Sequence, residues 1–507
     1  MKPRRGAVAA GHEQTAQAAI LILEAGGNAF DAALAGLYAA CVAEPVLSSL
    51  GGGGFLLARN AKGQARLFDF FAQTPNLRLP PEDQAFYPIF ADFGTTQQEF
   101  HIGLGAMAVP GMVRGMFDVH RALGSLPMSR IAEPAIEMAR QGITVNSLQA
   151  YLFSVVAPIY QASAEARRIY GGCGSAGLAR EGETLHQPEL AATLEQLASA
   201  GDDWFYHGEP GHHLAELSIS NGGHLRRADL QTYQTVERVP LSCRYRDSTL
   251  LTNPPPSSGG LLIAFALELL AEPAFAPNSY GAPDAVLRLA QAMSQTNLAR
   301  RRHSPTELQQ PDLIARYRAA VAQHPLFTRG TTHISVIDAA GNAAALSLSN
   351  GEGCGCMLPG TGIMLNNMLG EEDLNPRGFN RWACNIRVSS MMAPTLVEDR
   401  QRLIVTGSGG SNRLRTAILQ TVSHLLDHNL PVEAAVSAPR LHVEGDLLHL
   451  EPGFPELTQH RLMAAYPHNQ CWSAPNLFFG GTHTVVATDR EINGAGDPRR
   501  GGVFRRC

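Results

Sequence analysis

The first part of the chain combines helical spacing with a strand pattern. Apolar residues recur every three to four positions over residues 13–43, interrupted by Gly26-Gly27-Asn28, which predicts two helices. Two apolar runs follow, FLLARN at 55–60 and ARLFDFF at 65–71. The turn-like residues between these runs predict a hairpin of buried strands. The polar, Pro-rich and aromatic stretch 76–100 predicts a loop.

The rest of the chain alternates between helix and strand patterns. Leu- and Ala-rich stretches predict helices from about 111 to 240, and the apolar run LLIAFALELLAE predicts another after PPPSSGG. Residues 332–338 and 343–349 read as strands on either side of a Gly-Asn turn, which predicts a second hairpin. Further strands are predicted at 247–253, 394–398, 402–406 and 483–488, and a helix at 412–428. The pattern indicates a mixed α/β protein with a junction near residue 330.

Composition narrows the class of protein. The 507 residues would suit roughly three domains of average size, or one large α/β unit. Lys and Arg number 40 and Asp and Glu 45, so the net charge of −5 excludes a nucleic-acid binder that depends on phosphate contacts. Only 17% of residues are charged and 45% are hydrophobic, which excludes wholesale disorder. Glycine is abundant, at 50 residues, and much of it lies in a few short clusters.

Targeting and cofactor signals are weak. No apolar stretch is long enough to span a membrane, and the N-terminal residues MKPRRGAVAAGHEQ become polar too early for a signal peptide. We therefore expect a cytoplasmic protein as written, without a membrane contact; export stays open if an upstream segment is missing. The eight cysteines are scattered, and Cys354-x-Cys356 lacks a second ligand pair, so neither a metal nor a cofactor is predicted.

The junction near residue 330 carries a possible nucleophile. Gly330-Thr331-Thr332 stands immediately before a predicted strand. A Thr whose own α-amino group is free can act as both nucleophile and base, because that amine has an unperturbed pKa near 8. This chemistry requires the chain to be cut between Gly330 and Thr331. Taken alone, Thr in this position is more typical of an ordinary strand residue, since strands favour Thr.

Several motifs together change that interpretation. They are EAGGNAFDAALAGLYAACVAEP (24–45), LGGGGFLLARN (50–60), AMAVPGMVRGM (106–116), PPPSSGG (254–260), TTHISVIDAAGN (331–342), GTGIMLNN (360–367), SSMMAPT (389–395), TGSGGS (406–411) and GAGDPRRGG (494–502). In this order and spacing the chain resembles the γ-glutamyltranspeptidase family of N-terminal-nucleophile hydrolases over nearly its whole length. The resemblance implies a precursor that cleaves itself before Thr331. Its large subunit, 1–330, and small subunit, 331–507, would stay together in one four-layer αββα sandwich.

The resemblance also implies roles for individual residues. Thr331 Oγ would attack an amide carbonyl of a small-molecule substrate, and the acyl group would pass to water or an amine. Backbone N–H groups of Gly409 and Gly410 would stabilise the oxyanion, although these glycines could merely cap the next helix. The Ser389-Ser390 pair would bind a substrate carboxylate. Ser349 stands where the family has a Thr that hydrogen-bonds the nucleophile's amine, and Thr332 would support the nucleophile. Gly51 to Gly54 fit a backbone turn beneath the site better than a phosphate loop.

The residues expected to recognise the acyl group depart from the family. An Arg that holds the γ-glutamyl carboxylate is replaced by Phe71, which cannot form a bidentate pair with a carboxylate. The family's Asp that anchors the α-amine is shifted, so Glu371 or Glu372 would take its place. The family's Asn near that amine corresponds to Gly351, which Asn350 and Glu352 flank. Arg387 or Arg413 could supply a cation from elsewhere in the chain.

Three functions follow from these observations. The first is hydrolysis or transfer of γ-glutamyl amides such as glutathione, favoured by the overall similarity. The second is a related amidohydrolase, an acylase for cephalosporin-type side chains or an enzyme for oxamate-type amides. The third is a non-catalytic relative, which the presence of Thr331, Ser389-Ser390 and Gly409-Gly410 argues against.

Overall fold

The computed structural model describes residues 6–92, 97–172, 177–272, 274–276, 279–303, 307–309, 331–375 and 378–507. The described α-helices are α1 Glu13–Glu24, α2 Ala29–Ala43, α3 Met112–Leu123, α4 Met128–Gln141, α5 Ser147–Val155, α6 Ala157–Tyr160, α7 Ala164–Tyr170, α8 Pro188–Ala200, α9 Asp202–Tyr206, α10 Glu209–Ser220, α11 Arg227–Thr232, α12 Gly259–Ala271, α13 Pro283–Arg302, α14 Asn412–Leu426, α15 Val432–Ser437 and α16 Glu456–Ala465.

The strands of the described residues are mostly short and fall into seven sheets. They are β1 Gly6–Ala10, β2 Gly53–Arg59, β3 Ala65–Phe70, β4 Tyr87–Asp92, β5 Gln97–Ile102, β6 Ile143–Thr144, β7 Thr184–Leu185, β8 Val236–Arg238, β9 Leu241–Tyr245, β10 Ser248–Thr252, β11 Thr332–Asp338, β12 Ala343–Ser349, β13 Met357–Leu358, β14 Ile363–Met364, β15 Thr395–Glu398, β16 Arg402–Thr406, β17 Ser408–Gly409, β18 Leu441–Glu444, β19 Leu447–Leu450, β20 Asn469–Cys471, β21 Gly481–Thr482, β22 Thr484–Thr488, β23 Ile492–Ala495 and β24 Val503–Arg506.

Two large antiparallel sheets form the centre of the molecule. The first sheet has the strand order β24-β1-β11-β12-β2-β3-β8, and the second has the order β23-β22-β16-β15-β10-β9. Each sheet contains strands from both sides of residue 330. A cut before Thr331 would therefore leave two pieces that share both sheets.

Side-chain alternation gives the first sheet two buried faces. Val8 and Ala10 of β1 belong to one apolar cluster with helices α1 and α2, whereas Ala7 and Ala9 belong to a second cluster. The second cluster also contains the apolar residues of the second sheet and of α12, α13 and α14. Successive strand residues point to opposite faces, so the helices cover one face of the first sheet and the second sheet covers the other.

Most predicted elements are present. The two N-terminal helices are separated by the predicted break, and Asn28 caps the second helix through a capping box with Asp31. The hairpin β11–β12 has the predicted bounds, and β2–β3 is the predicted first hairpin. The mixed α/β class is confirmed. None of the helices in the described ranges is long and apolar enough to cross a membrane.

The loop predicted for residues 76–100 is wrong in its second half. Strands β4 and β5 pair there as an antiparallel hairpin. Phe100 and Ile102 are fully buried against the main core. The polar run Gln97-Gln98-Glu99 and Pro88 hide the strand pattern in the sequence, and burial of the few apolar positions outweighs the weak local propensity.

Candidate active site

Strand register brings Thr331 into line with three other residues across the first sheet. Thr332 pairs with Leu348, Ser349 pairs with Gly53, and Gly54 pairs with Phe70. Extending the β11–β12 pairing by one residue places Thr331 beside Ser349. Extending the β2–β3 pairing by one residue places Phe71 beside Gly53. The row therefore runs Thr331, Ser349, Gly53, Phe71. Residues far apart in the sequence meet at one end of the sheet because its strands share this register.

The start of β11 is held by buried polar contacts. Thr331 is only 5% exposed, and its carbonyl oxygen accepts a hydrogen bond of 3.2 Å from Arg500 Nη1. Thr332 Oγ1 donates to Glu44 Oε2 at 2.7 Å, pointing away from the row, as its alternate strand position requires. Thr15 Oγ1 donates to the other oxygen of Glu44. Gly330, the other residue of the predicted cleavage site, lies outside the described residues.

His333 continues the buried polar contacts along β11. Its Nδ1 lies 2.8 Å from Ser347 Oγ and its Nε2 lies 3.0 Å from Ser335 Oγ, which itself donates to the carbonyl oxygen of His483. Burial lowers the pKa of His333 well below its ordinary value, and it also lowers the pKa of His483 to about 4. Both imidazoles are therefore neutral at pH 7 and carry no charge toward Thr331.

Gly409 lies directly against Thr331, and Gly410 follows it beside Gly480 and Arg500. A Cβ atom at Gly409 would come within 1.9 Å of the Thr331 carbonyl oxygen, so only glycine fits there. Gly410 has a φ of 118°, in a region that favours glycine. The next residue, Ser411, is the N-cap of α14. The helix therefore begins beside Thr331, and the positive end of its dipole favours negative charge there.

The two predicted serines face different surroundings. Ser390 lines the same cavity as Thr331, and its Oγ accepts a hydrogen bond of 3.0 Å from the Met392 amide. Ser389 is absent from the lining described for this cavity, and its Oγ donates to the Pro256 carbonyl oxygen at 2.9 Å. The PPPSSGG segment braces the pair, since Ser257 Oγ donates to the Ser390 carbonyl oxygen.

The predicted amine anchors also separate. Glu371 is buried and lines the cavity, whereas Glu372 is exposed. A Cβ at Gly351 would lie 2.4 Å from Glu371 Oε1, so the glycine leaves room for this carboxylate. Asn350 is fully buried, and its amide lies near Gly52 and Gly353; it is absent from the lining described for the cavity.

Neither arginine proposed from the sequence is part of the described cavity lining. Arg387 donates to the Phe71 carbonyl oxygen and to Tyr233 Oη, and it lies 3.4 Å from Asp69. Arg413 donates to the Phe478 carbonyl oxygen and stacks over the Phe478 ring, with its guanidinium carbon 4.4 Å from the ring centroid. Among the described lining residues, the only charged group is therefore Glu371.

The cavity joins five of the residues singled out in the sequence with five others. Its described lining consists of Phe71, Thr331, Ser349, Glu371, Leu374, Ser390, Met391, Met392, Ser411 and Leu414. The sequence did not point to the other five lining residues, Leu374, Met391, Met392, Ser411 and Leu414, or to Arg500 behind the cavity. Ser411 directly follows the Gly409-Gly410 pair, and Arg500 lies within GAGDPRRGG. The motifs that carry the family resemblance could therefore have pointed to both residues. Within the described ranges, no three His, Cys, Asp or Glu side chains are grouped so that they could hold a metal ion.

Comparison with known proteins gives one consistent family. The sequence profile described as Gamma-glutamyltranspeptidase matches residues 15–506. The chain is 31% identical to the glutathione hydrolase proenzyme of Escherichia coli (strain K12), covering 98% of this chain and 91% of that protein. It is 32% identical to the acylase ACY 1 proenzyme of Pseudomonas sp. (strain V22), over 91% and 86%. The crystal structure of cephalosporin acylase from Bacillus halodurans superposes with a TM-score of 0.85 at 23% identity, covering 99% and 96%, and so shares the fold.

Proposed function

The chain belongs to the gamma-glutamyltranspeptidase family of hydrolases, and on this premise we propose that it is a self-cleaving amidohydrolase whose nucleophile is Thr331. One observation carries the proposal. Thr331 lies at the start of a buried strand, in a cavity with Ser349 and Ser390 and against Gly409. The proposed architecture is the αββα sandwich of N-terminal-nucleophile hydrolases, divided into subunits 1–330 and 331–507. Relatives named as proenzymes support this division.

Self-cleavage supplies the catalytic group. Thr331 Oγ attacks the carbonyl carbon of Gly330, the C–N bond to Thr331 breaks, and an ester links the two residues. Water then hydrolyses that ester. The new α-amine of Thr331 has an ordinary pKa near 8, so it can accept a proton near neutral pH.

Substrate cleavage then repeats the same chemistry between molecules. Thr331 Oγ attacks the substrate carbonyl while the Thr331 amine takes the hydroxyl proton. Gly409 and Gly410 N–H groups hold the oxyanion, and each such donor typically contributes about 3 kcal/mol to transition-state stabilisation. The tetrahedral intermediate collapses, the amine passes its proton to the leaving nitrogen, and an acyl ester remains. Water or an amine acceptor releases the acyl group and regenerates the hydroxyl.

The acyl group is restricted by the charge of the cavity. Glu371 is the only charged residue in the described lining, and Phe71, Leu374 and Met391 are apolar neighbours. A buried carboxylate favours a cationic or hydrogen-bond-donating partner, whereas a substrate carboxylate would be desolvated and would meet no cation among the described lining residues. We therefore favour an acyl chain with an amine and without a carboxylate. This favours the acylase alternative considered from the sequence over the oxamate-type one, because oxamate carries a carboxylate; γ-glutamyl activity stays a prediction to be measured beside it.

A denaturing gel tests the nucleophile. Purified protein should give two bands of unequal size, and the smaller one should begin at Thr331 on N-terminal sequencing. Thr331→Ala should remain a single band and lose at least about a thousandfold in turnover, because the nucleophile is missing. Thr331→Ser keeps a hydroxyl and should still be cleaved. An intact wild-type chain that stays uncut on incubation would refute self-cleavage.

Four p-nitroanilides test the acyl group. γ-Glutamyl, 4-aminobutyryl, glutaryl and butyryl derivatives differ only in the presence of the amine and the carboxylate. We expect the 4-aminobutyryl compound to have the highest kcat/KM and the glutaryl compound the lowest. Glu371→Gln should lower kcat/KM for the 4-aminobutyryl compound by about tenfold to a hundredfold and leave the butyryl compound within about threefold. Preference for the glutaryl compound would contradict the proposal.

A further inference from the structure

Arg500 lies behind the nucleophile and the predicted oxyanion donors. Its Nη1 donates to the Thr331 carbonyl oxygen at 3.2 Å. The positions that a Cβ would take at Gly409 and Gly410 lie 2.9 Å and 3.3 Å from Nη1 and Nη2 respectively. One guanidinium group therefore contacts Thr331 and packs against the two glycines beside it. Arg500 is not among the residues that line the cavity, so it does not contact the substrate site.

The burial of Arg500 is costly for a purely structural residue. The side chain is 5% exposed, and Nε is buried without a hydrogen-bond partner in the described part of the chain. Nη2 reaches only the Leu477 carbonyl oxygen, at 3.5 Å. Across the described ranges, no carboxylate lies within ion-pairing distance of the guanidinium, although Glu352, Asp497 and Glu44 attract it from further away. A buried cation with so few direct partners destabilises a fold, so we expect its charge to have a role other than stability.

We propose that Arg500 is a positioning residue that fixes the Thr331 main chain through its carbonyl and keeps the Thr331 α-amine in its neutral, basic form through its positive charge. The proposal rests on the function proposed above, since only a cleaved chain has this amine. Burial lowers the pKa of Arg500 to about 10, so the guanidinium remains charged at neutral pH.

The charged and titratable groups around Thr331 and Arg500 bear on this role. They are the carboxylates Glu44, Glu352, Glu371 and Asp497, the arginines Arg413, Arg440 and Arg499, and the histidines His12, His333 and His483. Burial lowers the pKa of each of these histidines, so none adds charge at pH 7. Carboxylates near the amine favour its protonated form, which cannot act as a base. Arg500, hydrogen-bonded to the same residue, opposes them.

The pH profile of kcat/KM tests the proposal. The acidic limb reports the group that must be unprotonated in the free enzyme, here the Thr331 amine. In Arg500→Gln the amine loses a nearby like charge, its pKa rises, and the acidic limb should move up by about one pH unit. The optimum kcat should fall by about tenfold. Arg500→Lys keeps the charge, so its limb should stay within about 0.3 pH unit of wild type. The assay uses whichever of the four p-nitroanilides wild type hydrolyses fastest.

Controls separate this role from loss of folding. Arg505→Gln removes an exposed arginine on the same C-terminal segment, paired with Glu13, and should change neither the limb nor kcat. Melting temperature and the gel identify variants that are misfolded or uncut. If Arg500→Gln stays uncut, only Arg500→Lys can be assayed. An acidic limb that moves up by a full pH unit in Arg500→Lys overturns the role of the charge. An unmoved limb in cleaved Arg500→Gln also overturns it. Inactive, uncut wild type would instead overturn the proposed function.

Discussion

The two sides of the candidate cavity are built in different ways. On the side of the proposed nucleophile, here called the nucleophile side, Gly409 and the Arg500 guanidinium both lie against the carbonyl oxygen of Thr331. On the acyl side, Phe71 and Glu371 present side chains from separate elements. The nucleophile side keeps the motifs of the family, whereas the acyl side departs from them at both residues. Under the proposed function, the reaction would be kept while the choice of acyl group differs.

Steric contacts explain why few other residues would fit on the nucleophile side. A Cβ at Gly409 would collide with the Thr331 carbonyl oxygen, and backbone cannot move aside as a flexible side chain can. On the acyl side, the groups that compete for space are side chains instead of backbone atoms. Gly351 leaves room for Glu371, where the family has an Asn and a shorter Asp. Phe71 stacks on Phe55 with ring centroids 5.4 Å apart, so an apolar pair fills the place of the missing cation.

The largest expected effect is on the nucleophile side. Gly409→Ala should lower kcat by about a hundredfold to a thousandfold, because it displaces Thr331 and disturbs an oxyanion donor. KM should change by much less, since the substrate-binding side chains are untouched. Steady-state kinetics on the preferred p-nitroanilide measures both, and the gel measures self-cleavage.

A second glycine shows whether a Gly→Ala change that causes no clash lowers kcat. Gly341 lies in the turn between β11 and β12 with a φ of 85°, and a Cβ there would meet no atom within 4 Å. Gly341→Ala should lower the melting temperature slightly and leave kcat unchanged. A Gly409→Ala enzyme with normal kcat and raised KM would contradict the oxyanion assignment.

The fold was largely predictable because its elements have strong local signals. The β11–β12 hairpin combines two strand-like runs with a Gly-Asn turn, and α2 is buried along its whole length, which gives it a continuous apolar sequence. The β4–β5 hairpin was missed because only a few apolar residues, such as Phe100, fix it through long-range packing. Local patterns do not contain that information.

The site was predictable only where the chain itself has a recognisable motif. The resemblance led to Thr331, Ser349 and Ser390, and the structure brings these three into one cavity. It could not separate Ser389 from Ser390 or Glu371 from Glu372, because adjacent residues differ only in the direction of their side chains. Arg500 was missed because its contact with Thr331 joins positions 169 residues apart.

A smaller effect is expected from restoring a cation on the acyl side. Phe71→Arg places a guanidinium where the family has one, beside Asp69, which already pairs with Arg238. The ratio of kcat/KM for γ-glutamyl over 4-aminobutyryl p-nitroanilide should rise by about tenfold, because a carboxylate gains a charge-assisted partner. Phe71→Leu, which stays apolar, should leave the ratio within about twofold. A ratio that does not change in Phe71→Arg would place the carboxylate subsite elsewhere.

The smallest effect is expected for Ser389 and Ser390. Comparing the two serines shows how far the acyl side of the cavity extends. Ser390→Ala removes a hydroxyl that lines the cavity, and kcat/KM should fall by about fivefold, the value of one neutral hydrogen bond. Ser389→Ala removes a hydroxyl committed to the Pro256 carbonyl oxygen, so kcat/KM should stay within about twofold while the melting temperature falls slightly. The two variants are matched in chemistry and differ only in where the hydroxyl points. Equal losses in kcat/KM would mean that the pair binds substrate as a unit, and the acyl side would then extend to the PPPSSGG segment that braces both serines.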